Sequence, residues 1–250
     1  MSVASRRLGD GRLIRCNSEL IDPIEPRLFD VDWSRANGYI HQSGMGRGGA
    51  HILKFSGHYV VLRFFLRGGI MRKVNRDRYL RLGEKRSRSF REYELLRWMN
   101  SQGLRVPRPI AAMTAPTGFF YRAAIILECI PQARTLADIL KEGPLPNGMW
   151  SDIGKTIRDM HELRVFHADL NCRNVLIDDA DRVWLIDFDK SHRRKRGRWM
   201  MQNIERLRRS LLKERGMAAE FWMDDRDWSQ LVTTYQASHD GRIDVSAKQA

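Results

Sequence analysis

The stretch from His167 to Asp189, HADLNCRNVLIDDADRVWLIDFD, constrains this chain more than any other. Val175-Leu176-Ile177 and Val183-Trp184-Leu185-Ile186 are short apolar runs on either side of Asp178-Asp179-Ala180-Asp181, and they read as two strands around a turn. Polar residues stand at fixed intervals around that hairpin. His167 and Asp169 precede it, Asn174 opens it, and Asp187 and Asp189 flank Phe188 at its end. Singly, such an Asp would be a helix cap and such an Asn a turn residue bonded to its own backbone. Their conjunction in one ordered block is what makes a purely structural explanation inadequate.

The order and spacing resemble the protein-kinase pattern H-x-D-x4-N followed, after an apolar strand, by D-F-G. Phosphoryl transfer asks little covalent work of a protein, so such a site supplies an oriented acceptor hydroxyl and divalent metal that gathers phosphate charge. The resemblance implies that Asp169 holds and accepts from the hydroxyl, that Asn174 and Asp187 bind Mg2+, and that ATP is the donor. It also implies an α+β, bilobal protein-kinase-like fold with a β-rich N-lobe and an α-helical C-lobe. On that reading residues 1–36 are a loosely structured lead-in, 37–130 the N-lobe, 131–237 the C-lobe and 238–250 a polar tail.

With 250 residues, 42% of them hydrophobic, the chain can bury a real core and is long enough for two lobes. No apolar run approaches the ~18 residues of a spanning helix, and the start, MSVASRRLGDGRLIR, lacks the apolar segment of a secretion signal. Cys16, Cys129 and Cys172 show no CxxC spacing, which argues against a zinc site or a disulfide framework and makes the cytoplasm the expected compartment.

Ahead of the catalytic block, Gly44, Gly46, Gly48 and Gly49 lie between Tyr39-Ile40-His41 and His51-Ile52-Leu53-Lys54-Phe55, as a glycine-rich turn between strands would. Glycines let backbone N–H groups close over phosphates, although the spacing departs from G-x-G-x-x-G. The next strand, Tyr59–Phe65, carries Arg63 where kinases have the Lys of V-A-I-K, and a guanidinium prefers a bidentate geometry. Its expected carboxylate is Glu92, since Glu92, Leu95, Leu96 and Met99 share one face of the helix over Phe90–Met99; Glu94 does not. Lys54 is the alternative phosphate contact. Phe119–Tyr121 and Ala124–Leu127 read as the last two N-lobe strands, and Glu128-Cys129-Ile130-Pro131 as the hinge, with backbone groups of Glu128 and Ile130 facing adenine. Helices follow over Thr135–Leu140 and Met149–Leu163, and His161 is taken as a structural histidine near the catalytic loop.

Together, HADLNCRNVLI, LIDFDK, Val61-Leu62-Arg63, LRGGIMRKVNRDRYL (66–80), FREYELL (90–96) and VPRPIAA (106–112) resemble the 3-deoxy-D-manno-octulosonic acid (Kdo) kinase family of Gram-negative bacteria over roughly residues 30–215. The Arg in the third strand and the RGG…RYL insert are not general kinase features. Asp189 in place of the D-F-G glycine also suits that family, although Asp has less backbone freedom. The resemblance implies transfer from ATP to the 4-hydroxyl of Kdo on a Kdo-lipid A precursor, by a peripheral protein at the cytoplasmic face of the inner membrane.

Charge fits an anionic partner: 44 Lys and Arg against 30 Asp and Glu give a formal +14. The run KSHRRKRGR (190–198) begins directly after Asp189, where a kinase-like fold binds its acceptor, so Arg193, Arg194, Lys195 and Arg196 are candidate acceptor contacts. Beyond it, Trp199, Met200, Ile204, Leu207, Leu211 and Leu212 alternate with Arg206, Arg208, Arg209, Lys213 and Arg215. Such a basic amphipathic helix could lie on an anionic membrane surface, or pack on the core with a wet basic face. A heptose kinase of the lipopolysaccharide core is the nearest alternative function. Other small-molecule or protein phosphotransferases rank lower, since no Ala-Pro-Glu motif follows Asp189. A catalytically dead nucleic-acid-binding fold is disfavoured by the intact Asp169, Asn174 and Asp187, and no nucleic-acid partner is expected.

Overall fold

In the computed structural model the described residues are 3–20, 24–45, 50–65, 79–80, 87–118 and 120–237. They form a mixed α and β fold that divides into two compact units, Met1–Arg97 with Pro107–Pro131, and Trp98–Val106 with Gln132–Ala250.

The first unit is built on an antiparallel sheet. Its strands are β1 (Val3–Arg7), β2 (Leu13–Asn17), β3 (Ile40–Met45), β4 (Ala50–Phe55), β5 (His58–Phe64), β6 (Tyr79–Leu80), β7 (Pro109–Thr117) and β8 (Phe120–Glu128). The sheet order is β1-β2-β7-β8-β5-β4-β3, with β6 also pairing β8. Leu53, Val60, Leu62, Ala111, Ala124 and Ile126 alternate inward to form its core. Helix α1 spans Val31–Ala36, and helix α2 (Arg88–Ser101), whose last turn belongs to the second unit, buries Phe90, Glu92, Tyr93, Leu96 and Met99, a wider buried surface than the single apolar face its pattern suggests.

Two sequence expectations are corrected here. Residues 1–36 are not a loose lead-in: β1 and β2 form a hairpin that continues the sheet through β7, and Ile14, Cys16, Ile24, Leu28 and Phe29 belong to the core. The signal was faint because β1, VASRR, is an edge strand with mostly exposed side chains, so it carries no apolar alternation. The stretch from Phe120 to Glu128 is likewise one strand, paired with β7 across the turn at Gly118. Arg122 breaks its apolar run only because that position faces solvent.

The second unit is helical, with α3 (Leu136–Glu142), α4 (Met149–Glu162), α5 (Trp199–Arg215) and α6 (Asp225–Gln236). Thr135 caps α3 by accepting from the Asp138 N–H, and Asp224 caps α6 in a reciprocal box with Asp227. Helices α4 and α6 pack so closely that a Cβ on Gly154 would lie 2.4 Å from the Leu231 carbonyl oxygen, so only glycine fits there. Short strands complete the unit: β9 (Arg134–Thr135), β10 (Val165–Phe166), β11 (Val175–Ile177), β12 (Val183–Leu185) and β13 (His192–Arg193). The expected hairpin is β11 with β12, in the register Val175 to Leu185. Its turn is closed by buried Asp178, which accepts from the N–H groups of Ala180 and Arg182 and from Trp184 Nε1. Burial alone would raise the Asp178 pKa, but these donors outweigh it and hold the carboxyl below its ordinary value.

Candidate active site

The catalytic block is held by bonds between its own members. The Asp169 N–H donates to His167 Nδ1 at 3.1 Å, so the other ring nitrogen, Nε2, carries the proton and donates to the Ile186 carbonyl at 3.0 Å. Asn174 Nδ2 donates to the Asp169 carbonyl at 2.9 Å, and the Ile186 N–H donates to the Asn174 carbonyl at 3.0 Å. Asp187 follows Ile186 directly, so these bonds fix the three polar positions, Asp169, Asn174 and Asp187, to one another. Phe188 is fully buried with its ring 4.6 Å from that of His167. Asp187 has φ +62° and Lys190 φ +62°, both in the left-handed region, while Asp189 is not there. The backbone freedom of the usual D-F-G glycine is therefore not required at Asp189. The strain falls instead on Asp187 and Lys190, a cost of about 1–2 kcal/mol each that the surrounding structure offsets.

A buried polar chain anchors this loop to the helices. Asn203 Oδ1 accepts from the His167 N–H at 3.1 Å and lies 3.2 Å from His161 Nε2, while Asn203 Nδ2 donates to the His167 carbonyl at 2.9 Å. An amide oxygen only accepts, so His161 Nε2 carries the proton and its Nδ1 accepts from the Tyr235 hydroxyl at 2.9 Å. Helix α6 is thus linked through α4 and α5 to the catalytic loop. Burial depresses the His161 pKa to about 4, against a partial opposing effect of the Asn203 bond, and burial lowers that of His167 as well.

His161 is depressed in the folded chain, so the unfolded chain takes up the proton first. Its stabilisation is complete above about pH 6.5 and is lost as pH falls toward 4, on the order of 3 kcal/mol in all. Urea unfolding midpoints should fall over that window, and His161→Gln should flatten the slope; parallel slopes for the two proteins would refute the assignment.

In the first unit, Arg63 on β5 meets Glu92 on α2, with Nη2 at 2.5 Å from both carboxylate oxygens. Glu92 is buried and Arg63 mostly so. Glu94 instead pairs with Arg15 and Arg97 near the surface. Lys54 is exposed, with Nζ 5.6 Å from the centre of the Tyr59 ring. Gly44 lies within β3, whereas Gly46, Gly48 and Gly49 lie outside the described residues, as does most of the RGG…RYL insert. At the expected hinge, the Glu128 N–H is committed to the Arg108 carbonyl at 2.9 Å and its side chain to Arg108. The Glu128 N–H is therefore not free for a base edge, and Ile130 follows the end of β8.

The proposed acceptor residues are exposed, but two are engaged by aromatic rings. Arg193, in β13, stacks 4.3 Å from the Trp98 ring centre, and Arg194 lies 5.7 Å from that of Phe166. The Lys195 carbonyl accepts from Trp199 Nε1. Sequence reasoning missed the loop-holding roles of Asn203, Ser191, Ser210 and Tyr235, and the contact of Arg206 with Asp169. The i, i+3, i+7, i+11 spacing of Asn203, Arg206, Ser210 and Glu214 was the available signal, since it puts polar groups on one stripe of a helix.

Asn174 and Asp187 offer hard oxygen donors, and among the described residues no cluster of three His, Cys, Asp or Glu forms a closed metal cage. That donor set suits Mg2+, which keeps waters and substrate phosphates as its remaining ligands.

Residues 31–235 match the model of the lipopolysaccharide kinase (Kdo/WaaP) family. A 3-deoxy-D-manno-octulosonic acid kinase of Vibrio parahaemolyticus is 41% identical over 222 residues, covering 88% of this chain and 92% of that protein. A kinase of the same description from Pasteurella multocida is 38% identical, with coverage of 84% and 90%, and one from Photobacterium profundum is 36% identical, with 83% and 88%. The order of motifs, the strand-three arginine and these alignments over most of the chain agree: it belongs to the lipopolysaccharide kinase (Kdo/WaaP) family.

Proposed function

We propose that this chain transfers the γ-phosphate of ATP to the 4-hydroxyl of Kdo on a lipid A-linked acceptor. Membership of the family makes it a kinase acting on a hydroxyl group, and relatives described as Kdo kinases support Kdo as the acceptor. Family membership also supports reading the two units as the β-rich and helical lobes of a kinase-like fold. The observation that carries the chemistry is the bonded loop, in which Asn174 and Ile186 tie Asp169 and Asp187 to one frame.

In that frame the Asp169 carboxylate accepts from the acceptor hydroxyl and takes its proton as the new oxygen–phosphorus bond forms and ADP leaves. Mg2+ bound to Asn174 Oδ1 and Asp187 would gather phosphate charge. Arg63, held by Glu92, supplies a fixed guanidinium to phosphate oxygens. Gly44, Gly46, Gly48 and Gly49 would close over the phosphates, and Glu128 and Ile130 would offer backbone groups to adenine. Arg193, Arg194, Lys195 and Arg196 give the acceptor's anionic groups a basic approach, through exposed charge that salt screens.

Contact with an anionic inner-membrane surface is part of the proposal. Among the described residues no helix is long and apolar enough to cross a membrane. Helix α5 exposes Met201 and Leu212 among Arg208, Arg209 and Arg215, and Met217 and Trp222 are exposed just beyond it. Co-sedimentation with phosphatidylglycerol vesicles should weaken in Leu212→Glu, and unchanged binding would remove this face from consideration.

The acceptor is tested by radiolabel transfer from ATP to purified Kdo-lipid, with heptosylated core and a basic-peptide mixture as competitors. Kdo-lipid should be labelled preferentially; preferred labelling of heptose or peptide would contradict the reading.

A further inference from the structure

One stripe of α5 runs along the catalytic loop. Asn203 holds both backbone groups of His167, the Ser210 hydroxyl accepts from the Cys172 N–H at 2.9 Å, and the Glu214 carboxylate takes the Arg173 fork in two bonds of 2.8 Å. Lys141 reinforces Glu214 at 3.2 Å, and these donors hold the Glu214 carboxyl below its ordinary pKa. These contacts grip the loop at its start, middle and end. Arg206 lies on the same stripe and differs from the other three. It reaches the catalytic carboxylate, donating through Nε to Asp169 Oδ1 at 3.1 Å and through Nη2 to the same oxygen. Its side chain is 47% exposed and that of Asp169 is 50% exposed, whereas Asn203 and Glu214 are buried.

A solvated ion pair of that kind adds little to stability, and the loop is already fixed without it. What Arg206 does possess is position: a guanidinium fork with donors beyond the one carboxylate oxygen, directly beside the group that receives the acceptor hydroxyl. Resting on the acceptor reading above, we propose that Arg206 is a specificity-determining residue that binds the carboxylate of the acidic acceptor sugar while Asp169 binds its hydroxyl. The chemistry of the sugar fits. Its carboxylate hangs from a ring carbon two positions from the carbon bearing the 4-hydroxyl, so one ring can present both groups to adjacent side chains. In the absence of acceptor the same guanidinium lies on Asp169, and an incoming carboxylate replaces one anionic partner by another. A neutral sugar offers Arg206 no such exchange.

The experiment compares two acceptors, the Kdo-bearing lipid and the same lipid with the Kdo carboxyl converted to its methylamide, using the wild-type chain, Arg206→Gln and Arg206→Lys. A charge-assisted bidentate contact corresponds to about 10- to 100-fold in kcat/KM. Wild type should prefer the acid by about that factor. Arg206→Gln should lose activity toward the acid, reduce the preference to less than about threefold and leave the KM for ATP nearly unchanged. Arg206→Lys should keep part of the preference. If both acceptors fall in parallel in Arg206→Gln, so that the preference survives, Arg206 acts only on the geometry of Asp169 and the proposal is overturned. Labelling of neither lipid by the wild type would instead defeat the Kdo reading, and this inference with it.

Discussion

Asp169→Asn should reduce phosphoryl transfer about a thousandfold or more while ATP binding changes little. In the proposed mechanism the carboxylate accepts the acceptor proton, and proton transfer by a positioned side chain contributes about 10²- to 10⁴-fold. An amide keeps the volume but supplies neither the charge nor the basicity. It also weakens the resting contact with Arg206, from an ion pair to a hydrogen bond on a neutral amide oxygen. The loop frame is untouched, because its bonds run through the Asp169 N–H and carbonyl rather than its side chain. Single-turnover rates with equilibrium ATP binding separate the two effects, and a variant that turns over near the wild-type rate would remove Asp169 from the mechanism.

The second large effect belongs to Arg63. Arg63→Ala takes the guanidinium away from buried Glu92, and breaking a buried pair costs about 3–5 kcal/mol in stability. It should also raise the ATP requirement. Lys54→Ala, which removes only an exposed cation over Tyr59, should cost less than about 1 kcal/mol and leave ATP use intact. The two consequences for Arg63 are separable. Replacing the pair together, as Arg63→Met with Glu92→Leu, should recover much of the stability, because both buried charges of the pair are removed, but should not recover ATP use. If the double variant handles ATP like the wild type, Arg63 is a structural residue alone. Arg63→Lys should restore only part of the rate, since an ammonium that replaces Nη2 at Glu92 leaves no second nitrogen to reach phosphate.

Much of this site was legible in the sequence because its parts are local or periodic. His167, Asp169, Asn174 and Asp187 lie in one short stretch around a hairpin, so spacing alone orders them, and β11 and β12 carry the apolar runs that mark them as strands. Glu92 was separable from Glu94 by helical face, and the structure gives Glu92 the buried pair and Glu94 the surface ones. The first 36 residues were misread for a physical reason: β1 lies at a sheet edge with mostly polar side chains, and the burial of Ile14 and Cys16 depends on β7, about 95 residues later. Arg206 was read as part of a basic helical face, because a contact between residues 37 positions apart leaves no local mark. The chain Tyr235–His161–Asn203–His167 is equally non-local, joining two helices and a loop through side chains that each look ordinary in sequence.

The most direct measurement of the central claim is the position of the new phosphate. Kdo-lipid incubated with ATP, magnesium and the wild-type chain, then examined by proton–phosphorus correlation, should show phosphorus coupled to the proton on carbon 4 of Kdo, and Asp169→Asn should give no such product. New phosphorus on a heptose or at a further position of the lipid A sugars, or the Kdo product formed by Asp169→Asn at near the wild-type rate, would contradict the account.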